Sequence, residues 1–260
     1  MSRHVGLAFL QVETSNARGL ACVTRNEKES TMRILILGHG KTGKLVAEVA
    51  HERGHGVHVL DAKENAGASA LTPPFVAGFD VVIDFTNPEA VIQNMRACLA
   101  TGAKMVIGTT GWYDKLGAMK ELAERRGAAL LYGSNYSVGV QVMLQLAAQM
   151  GAALQHAGYT FSLAETHHVS KLDSPSGTAI TISQVVKQAA GIEELPIEAT
   201  REGDAKGLHT LEARGSADRL VLTHEAFSRR GFAEGAVRAA EWVSTKTGCF
   251  DFREVYNQLE

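Results

Sequence analysis

The sequence predicts an α/β fold in which a parallel-sheet domain precedes a second, α+β sheet-rich domain. A short apolar run at Arg33–Leu37 enters a glycine-rich turn and then a helical repeat. Further apolar runs follow, each ending in small or hydroxylated residues and leading into a helical pattern, as parallel strands with crossover helices require. In the second half, strand patterns follow one another with fewer helices between them, which suits a separate sheet.

The chain has 260 residues, 45% hydrophobic and 21% charged, enough to bury two ordinary cores. Twenty-six Lys plus Arg against 28 Asp plus Glu give a net charge of -2, so no nucleic-acid partner is expected. No apolar run reaches the roughly 18 to 20 residues of a membrane span, so no membrane association is expected. Cys22, Cys98 and Cys249 are widely spaced without a paired-ligand pattern. Neither a disulfide scaffold nor a metal site follows from them, and a reducing, cytoplasmic setting fits best. Residues 1–31 show no sustained periodicity, whereas MRILILGHGKTG opens at once as a strand and turn. Met32 reads as the natural start and residues 1–31 as an extension outside the pattern, with VGLAFL too short for a secretory core.

Gly38, Gly40 and Gly43 form GxGxxG after the first strand, with His39, Lys41 and Thr42 between them. The first two glycines allow backbone to approach a ligand, the third allows close helix packing, and the helix start can receive a pyrophosphate. The next strand, GVHVLD, ends in Asp61, eighteen residues beyond Gly43, near the spacing of a ribose-binding acid. This is a Rossmann-like, dinucleotide-binding pattern. DVVIDFTNPEAV then brings a strand through Phe85 and Thr86 into a helix starting near Pro88. KMVIGTTGW ends a further strand at Gly108, Thr109 and Thr110, and ALLYGSNYSVG ends another at Ser134, Asn135, Tyr136 and Ser137. Ligands of such sheets cross the C-terminal strand edges, where all these loops lie. GKTGK lacks the spacing of an ATP-binding loop.

SVGVQVMLQLAAQMGAAL predicts one helix with Val138, Val142, Leu146 and Met150 on its apolar stripe. The strand-like YTFSLAETHH runs into ETHHVSKLDSPSGTA, which gathers two imidazoles, an ammonium and a Ser-Gly-Thr turn at a helix start. Lys171 could bind a carboxylate or donate a proton, and Gly177 and Thr178 could donate hydrogen bonds to an anion. His167, His168 and Asp173 lack metal-ligand spacing, so no metal is expected. Ser176 has no triad to activate it. LHTLEAR and RLVLTHEAF read as strands and Ala233–Val243 as a helix, with His209, His224 and Arg229 read as structural or solvent-facing. The amphipathic FDFREVYNQL is expected to pack back on the first domain.

Together GxGxxG, DFTxP, GTTG and especially ExHHxxKxDxPSGTA resemble the dihydrodipicolinate reductase family, over essentially Met32–Glu260. The resemblance implies reduction of 4-hydroxy-tetrahydrodipicolinate to tetrahydrodipicolinate by NADH or NADPH, in lysine and diaminopimelate biosynthesis. It implies residues 32–136 for dinucleotide binding, 137–234 for substrate binding and oligomerisation, and 235–260 returning to the first domain. Gly38 to Gly43 become the dinucleotide loop and Asp61 the ribose acid. Phe85, Thr86 and Gly108 to Thr110 would neighbour the nicotinamide, and Ser134 to Ser137 would contact cofactor. His167 matches the active-site histidine, Lys171 the general acid and His168 a substrate-carboxylate contact, with Gly177 and Thr178 gripping another carboxylate. The partners implied are a small dicarboxylate and three further copies in a homotetramer. Asp61 followed by Ala62, where some members carry Arg, points to NADH, although Lys63 or His39 could offset the acid's charge. Arg201 and His209 receive no role. Other readings are a different two-domain NAD(P)-dependent oxidoreductase, such as an aspartate-dehydrogenase-like enzyme, or a noncatalytic dinucleotide-binding protein.

Overall fold

The computed structural model describes residues 31–259, so residues 1–30 of the extension and Cys22 lie outside the described residues. The first sheet is built from β1 (Arg33–Leu37), β2 (Gly56–Leu60), β3 (Val81–Asp84), β4 (Lys104–Ile107) and β5 (Ala129–Tyr132), with β10 (Gly248–Asp251) arriving from the far end of the chain. Its order is β10-β5-β4-β3-β1-β2 and every pairing is parallel. The core strands are apolar at nearly every position, as a sheet covered on both faces requires. Helices α1 (Lys41–Glu52), α2 (Pro73–Val76), α3 (Pro88–Leu99) and α4 (Leu116–Arg125) connect successive strands. Because β1 is followed by β2 on one side and β3 on the other, the order reverses between β1 and β3, where such sheets open a crevice.

The second sheet has the order β7-β6-β8-β9, from β6 (Thr160–His167), β7 (Ile197–Arg201), β8 (Leu208–Arg214) and β9 (Arg219–Glu225). Only β6 and β7 run parallel. Helices α5 (Val138–Leu154) and α6 (Gly177–Ala190) cover one face, burying Phe161, Leu163, Leu211 and Ala213 beneath them. Helix α7 (Arg230–Val243) then returns to the first sheet, where Ala233, Ala236, Val237 and Ala240 share a core with Val46 and Val49 of α1. The terminal segment packs there as well, through β10 and α8 (Phe252–Val255). Parallel and mixed sheets thus stand where the sequence predicts them, and the last segment contributes a sixth strand that its amphipathic pattern did not announce.

The apolar stripe of α5 needs correction. Val142 and Leu146 are 41% and 43% exposed, and the buried face is Val140, Met143, Leu144, Ala147 and Gly151. A strict i+4 ladder rotates about 40° further around the helix at each step, so its members cannot share one face. The mixed i+3 and i+4 spacing can.

Candidate active site

At the crevice between β1 and β3, a cleft of about 460 Å³ is lined by Gly38, His39 and Gly40, by Asp61, and by Phe85 and Thr86. Glycine is required twice in the turn beside it. A Cβ on Gly38, whose φ is +99°, would lie 2.4 Å from the Phe85 carbonyl oxygen, and one on Gly43 would lie 2.1 Å from the Gly38 oxygen. At Gly40 a Cβ would meet nothing within 4 Å, so that space belongs to the cleft. Helix α1 starts there with no side-chain cap and no acid in its first turn, whereas Asn87, Ser137 and Ser176 cap α3, α5 and α6. Its first N–H groups suit a pyrophosphate. Asp61 Oδ1 accepts the Lys63 and Glu64 N–H groups at 2.7 and 3.0 Å. These bonds, with the nearby charges of Lys63 and His39, hold the carboxyl below its ordinary value and leave an ionised acceptor for a ribose hydroxyl. The residues present therefore fit a dinucleotide.

Asp84, which sequence reasoning passed over, organises the loops beside this cleft. Fully buried, it accepts from Thr86 N–H and Oγ1 at 2.9 and 2.7 Å, from Thr109 Oγ1 at 2.8 Å, and from Asn94 Nδ2 at 2.8 Å. Burial nonetheless pushes its pKa up. A lone acid inside the apolar run VVID was the available signal. Thr109 is thereby committed to loop structure, and Gly108 is required because a Cβ would strike the Phe85 ring at 2.1 Å. Lys41, Thr42, Gly43, Thr110 and the Ser134–Ser137 loop do not line the cleft. Tyr136 is 2% exposed and donates to the Ile107 carbonyl, so its ring serves the core. Asn135 Nδ2 reaches Thr178 Oγ1 at 3.3 Å and joins the loop after β5 to the start of α6.

The second sheet gathers the polar cluster. Glu165 and His167 lie two apart on β6 and share the buried face. Register sets Glu165 opposite His209 of β8, and His167 opposite Arg201 of β7. Glu165 Oε1 accepts Ser176 N–H at 2.9 Å and Arg201 Nη2 at 3.1 Å, while Oε2 lies 3.3 Å from His167 Nδ1 and 3.6 Å from His209 Nε2. Burial alone would raise the Glu165 pKa, but the Ser176 and Arg201 bonds and the His167 charge bring it below its ordinary value. Burial lowers all three imidazoles of the row, His167, His209 and His224, with His209 brought to about 4. Lys171 donates to Asp173 at 2.8 and 3.0 Å. Beyond the strand, Arg229 Nη2 lies 3.3 Å from His168 Nε2. A guanidinium only donates, so that nitrogen accepts and Nδ1 carries the proton toward Ser170 Oγ at 2.9 Å.

Glu165, His167 and His209 place ligand atoms within 4.8 Å of one another. The Arg201 guanidinium beside the same carboxylate opposes a dication there. Arg201, His209 and Arg229, which the sequence left unassigned or read as structural, thus belong to the cluster. Strand pairing reveals Arg201 and His209, and the contact with His168 reveals Arg229.

Family models for the dihydrodipicolinate reductase N-terminus and C-terminus match residues 32–136 and 139–256. The chain belongs to the dihydrodipicolinate reductase family. It is 36% identical to the 4-hydroxy-tetrahydrodipicolinate reductase of Christiangramia forsetii over 242 residues, covering 88% of this chain and 99% of that one. The enzyme of the same name from Natronomonas pharaonis is 36% identical over 248 residues, covering 86% and 99%. A dipicolinate-bound dihydrodipicolinate reductase from Paenisporosarcina sp. TG-14 shares the fold, with a TM-score of 0.70, 22% identity and coverage of 86% and 99%. Membership makes the chain an oxidoreductase that uses a pyridine nucleotide in lysine and diaminopimelate biosynthesis, in preference to the aspartate-dehydrogenase-like and noncatalytic readings. Among the described residues no helix is long and apolar enough to cross a membrane.

Proposed function

We propose that the chain reduces 4-hydroxy-tetrahydrodipicolinate, through its dihydrodipicolinate form, to tetrahydrodipicolinate, with His167 and Lys171 as its catalytic pair. The observation that carries this reading is the convergence of His167, Lys171 and the Ser176-capped start of α6 at one end of the second sheet. Residues 32–136 with the returning 235–260 bind the dinucleotide, and residues 137–234 bind substrate. Bound NADH or NADPH supplies the hydride. Gly38 to Gly43 and Asp61 hold its pyrophosphate and ribose, while Phe85, Thr86, Gly108 to Thr110 and Ser134 to Ser137 shape the nicotinamide end. The N–H groups of Gly177 and Thr178 at the start of α6 grip one substrate carboxylate, that of Gly177 on leaving the Asp173 carboxylate, and His168 with Arg229 faces the other. Lys171, released from Asp173, gives its proton to the carbon that hydride addition leaves electron-rich, with neutral His167 beside it.

Glu64 Oε2 accepts the Asp61 N–H at 3.1 Å, so a second carboxylate adds its negative charge beside Asp61 and opposes a nearby phosphate, which supports NADH as the preferred cofactor. The face of the second sheet opposite α5 and α6 carries exposed Ser162, Ala164 and Val221, which supports assembly into a homotetramer. Cys98 and Cys249 are unpaired, which fits the cytoplasm. The decisive experiment follows NAD(P)H oxidation with freshly generated substrate, against aspartate semialdehyde or pyruvate alone. Oxidation only with the condensed substrate is expected, and none with folded protein defeats the reading. A higher kcat/KM with NADPH rejects the cofactor preference, and a monomer by light scattering rejects the tetramer.

A further inference from the structure

One fully buried carboxylate has no part in the reduction as described. Glu165 has a side-chain exposure of 0%, and its Oε2 has no hydrogen-bond partner within bonding geometry. Both of its oxygens nevertheless face groups of the proposed site. We infer that Glu165 is a positioning residue for this reaction: one oxygen orients His167 while the other anchors the helix start that holds the dicarboxylate.

The Oε1 side fixes a loop. Ser176 N–H and Arg201 Nη2 converge on that oxygen, and Arg201 Nη2 also donates to the Asp173 carbonyl at 2.6 Å. Both ends of the segment from Asp173 to Ser176 are thereby tied to β6 and β7. That segment directly precedes Gly177 and Thr178, so the carboxylate-gripping N–H groups take their position from Glu165. The segment also carries Asp173, the partner of Lys171.

On the Oε2 side, Glu165 Oε2 and His167 Nδ1 stand 3.3 Å apart, neither with a hydrogen-bond partner within bonding geometry, and their charges decide which form of the imidazole is favoured. A carboxylate offers only acceptors, so the His167 nitrogen 3.3 Å away is favoured in its protonated form. This puts the His167 proton on Nδ1 and leaves Nε2 as the acceptor available to Lys171 or substrate. The groups that face His167 are Glu165 from its own strand, Arg201 from β7, His209 from β8, and Lys171 and Asp173 from the following loop. Of the two acids, Asp173 is 57% exposed and held by Lys171, so Glu165 is the buried negative charge of the set. Burial, Lys171 and Arg201 depress the His167 pKa, and Glu165 opposes them.

The inference rests on the reductase reading, and Glu165→Gln tests it. Glutamine keeps the shape and an oxygen for Ser176 N–H, and removes the charge. The variant is expected to lose about 10- to 100-fold in kcat and to raise KM for the dicarboxylate several-fold, with NAD(P)H affinity within about twofold of wild type. Because Glu165 favours protonated His167, its loss lowers the His167 pKa and moves the acid limb of kcat/KM to lower pH. Glu165→Asp restores the charge from a shorter arm, and is expected to return the acid limb but not KM. Nitrogen NMR of wild-type His167 at neutral pH is expected to show the Nδ1–H form. An Nε2–H form overturns the inference, as does an E165Q enzyme with unchanged KM and acid limb. If E165Q does not fold, the wild-type tautomer and the E165D profile decide. The tautomer is read without substrate, so a wild type inactive in the reductase assay defeats the reductase reading separately.

Discussion

At the switch point of the first sheet backbone and glycines border an open cleft, whereas at the end of the second sheet side chains from β6, β7 and β8 converge on one carboxylate. The first arrangement depends on what is missing. Gly38 and Gly43 have no Cβ because carbonyl oxygens fill that space, and α1 has no side-chain cap, whereas α3, α5 and α6 each have one. The second depends on what is present, with Glu165, His167, Arg201 and His209 held by cross-strand register. Backbone sites are local in sequence and tolerate little added volume. Convergent side-chain sites are nonlocal, and their chemistry depends on neighbouring charge.

The largest effect should come from the proton donor. Lys171→Ala is expected to reduce kcat by about 10²- to 10⁴-fold while leaving the NAD(P)H dissociation constant nearly unchanged. Near-normal turnover would remove the acid role and break the division between the two regions. Next comes a pair of glycine variants. Gly43→Ala forces a Cβ to 2.1 Å from a carbonyl oxygen and should cost about 1–3 kcal/mol of stability, read as a lowered Tm. Gly40→Ala meets no protein atom and has a φ of -75°, so Tm should hold while cofactor affinity falls about tenfold or more. Equal loss of Tm in both would refute the backbone account of the cleft.

His209 gives a pH signature to the side-chain region. Burial takes its pKa from 6.5 to about 4, so below pH 6.5 the unfolded chain binds the proton that the folded chain refuses. Stability should therefore fall as pH drops from about 6.5 toward 4, by an amount of the order of 3 kcal/mol. Thermal unfolding across that window should show the decline, with a shallower slope in His209→Gln. The smallest effect is expected at Asp61, where Asn should raise the NADPH to NADH ratio of kcat/KM by about tenfold through lost repulsion. An unchanged ratio would move cofactor choice elsewhere in the cleft.

Much of the first region was legible because its signals are short-range. GxGxxG, Asp61 and the hydroxylated strand ends each declare themselves within a few residues, and the same holds for the Ser-Gly-Thr start of α6. The misreadings share a cause. Val142 and Leu146 are apolar, but their placement depends on which face of α5 meets the second sheet. The further contacts of Tyr136 and Thr109 are nonlocal in the same way, the Tyr136 hydroxyl reaching the Ile107 carbonyl and Thr109 Oγ1 reaching Asp84. Arg201 and His209 lie 36 and 44 residues beyond Glu165, and no local pattern joins them.

The sequence by itself determined the two sheets, the glycine-rich loop, the helix starts and the His-Lys segment, because strand periodicity, glycine geometry and capping act between near neighbours in the chain. Only the tertiary structure decided which titratable groups share a buried pocket. That depends on strand order and register, which set Glu165 beside His209 and His167 beside Arg201. Burial then fixes their charges, since desolvation is a property of the packed surroundings and no residue carries it alone.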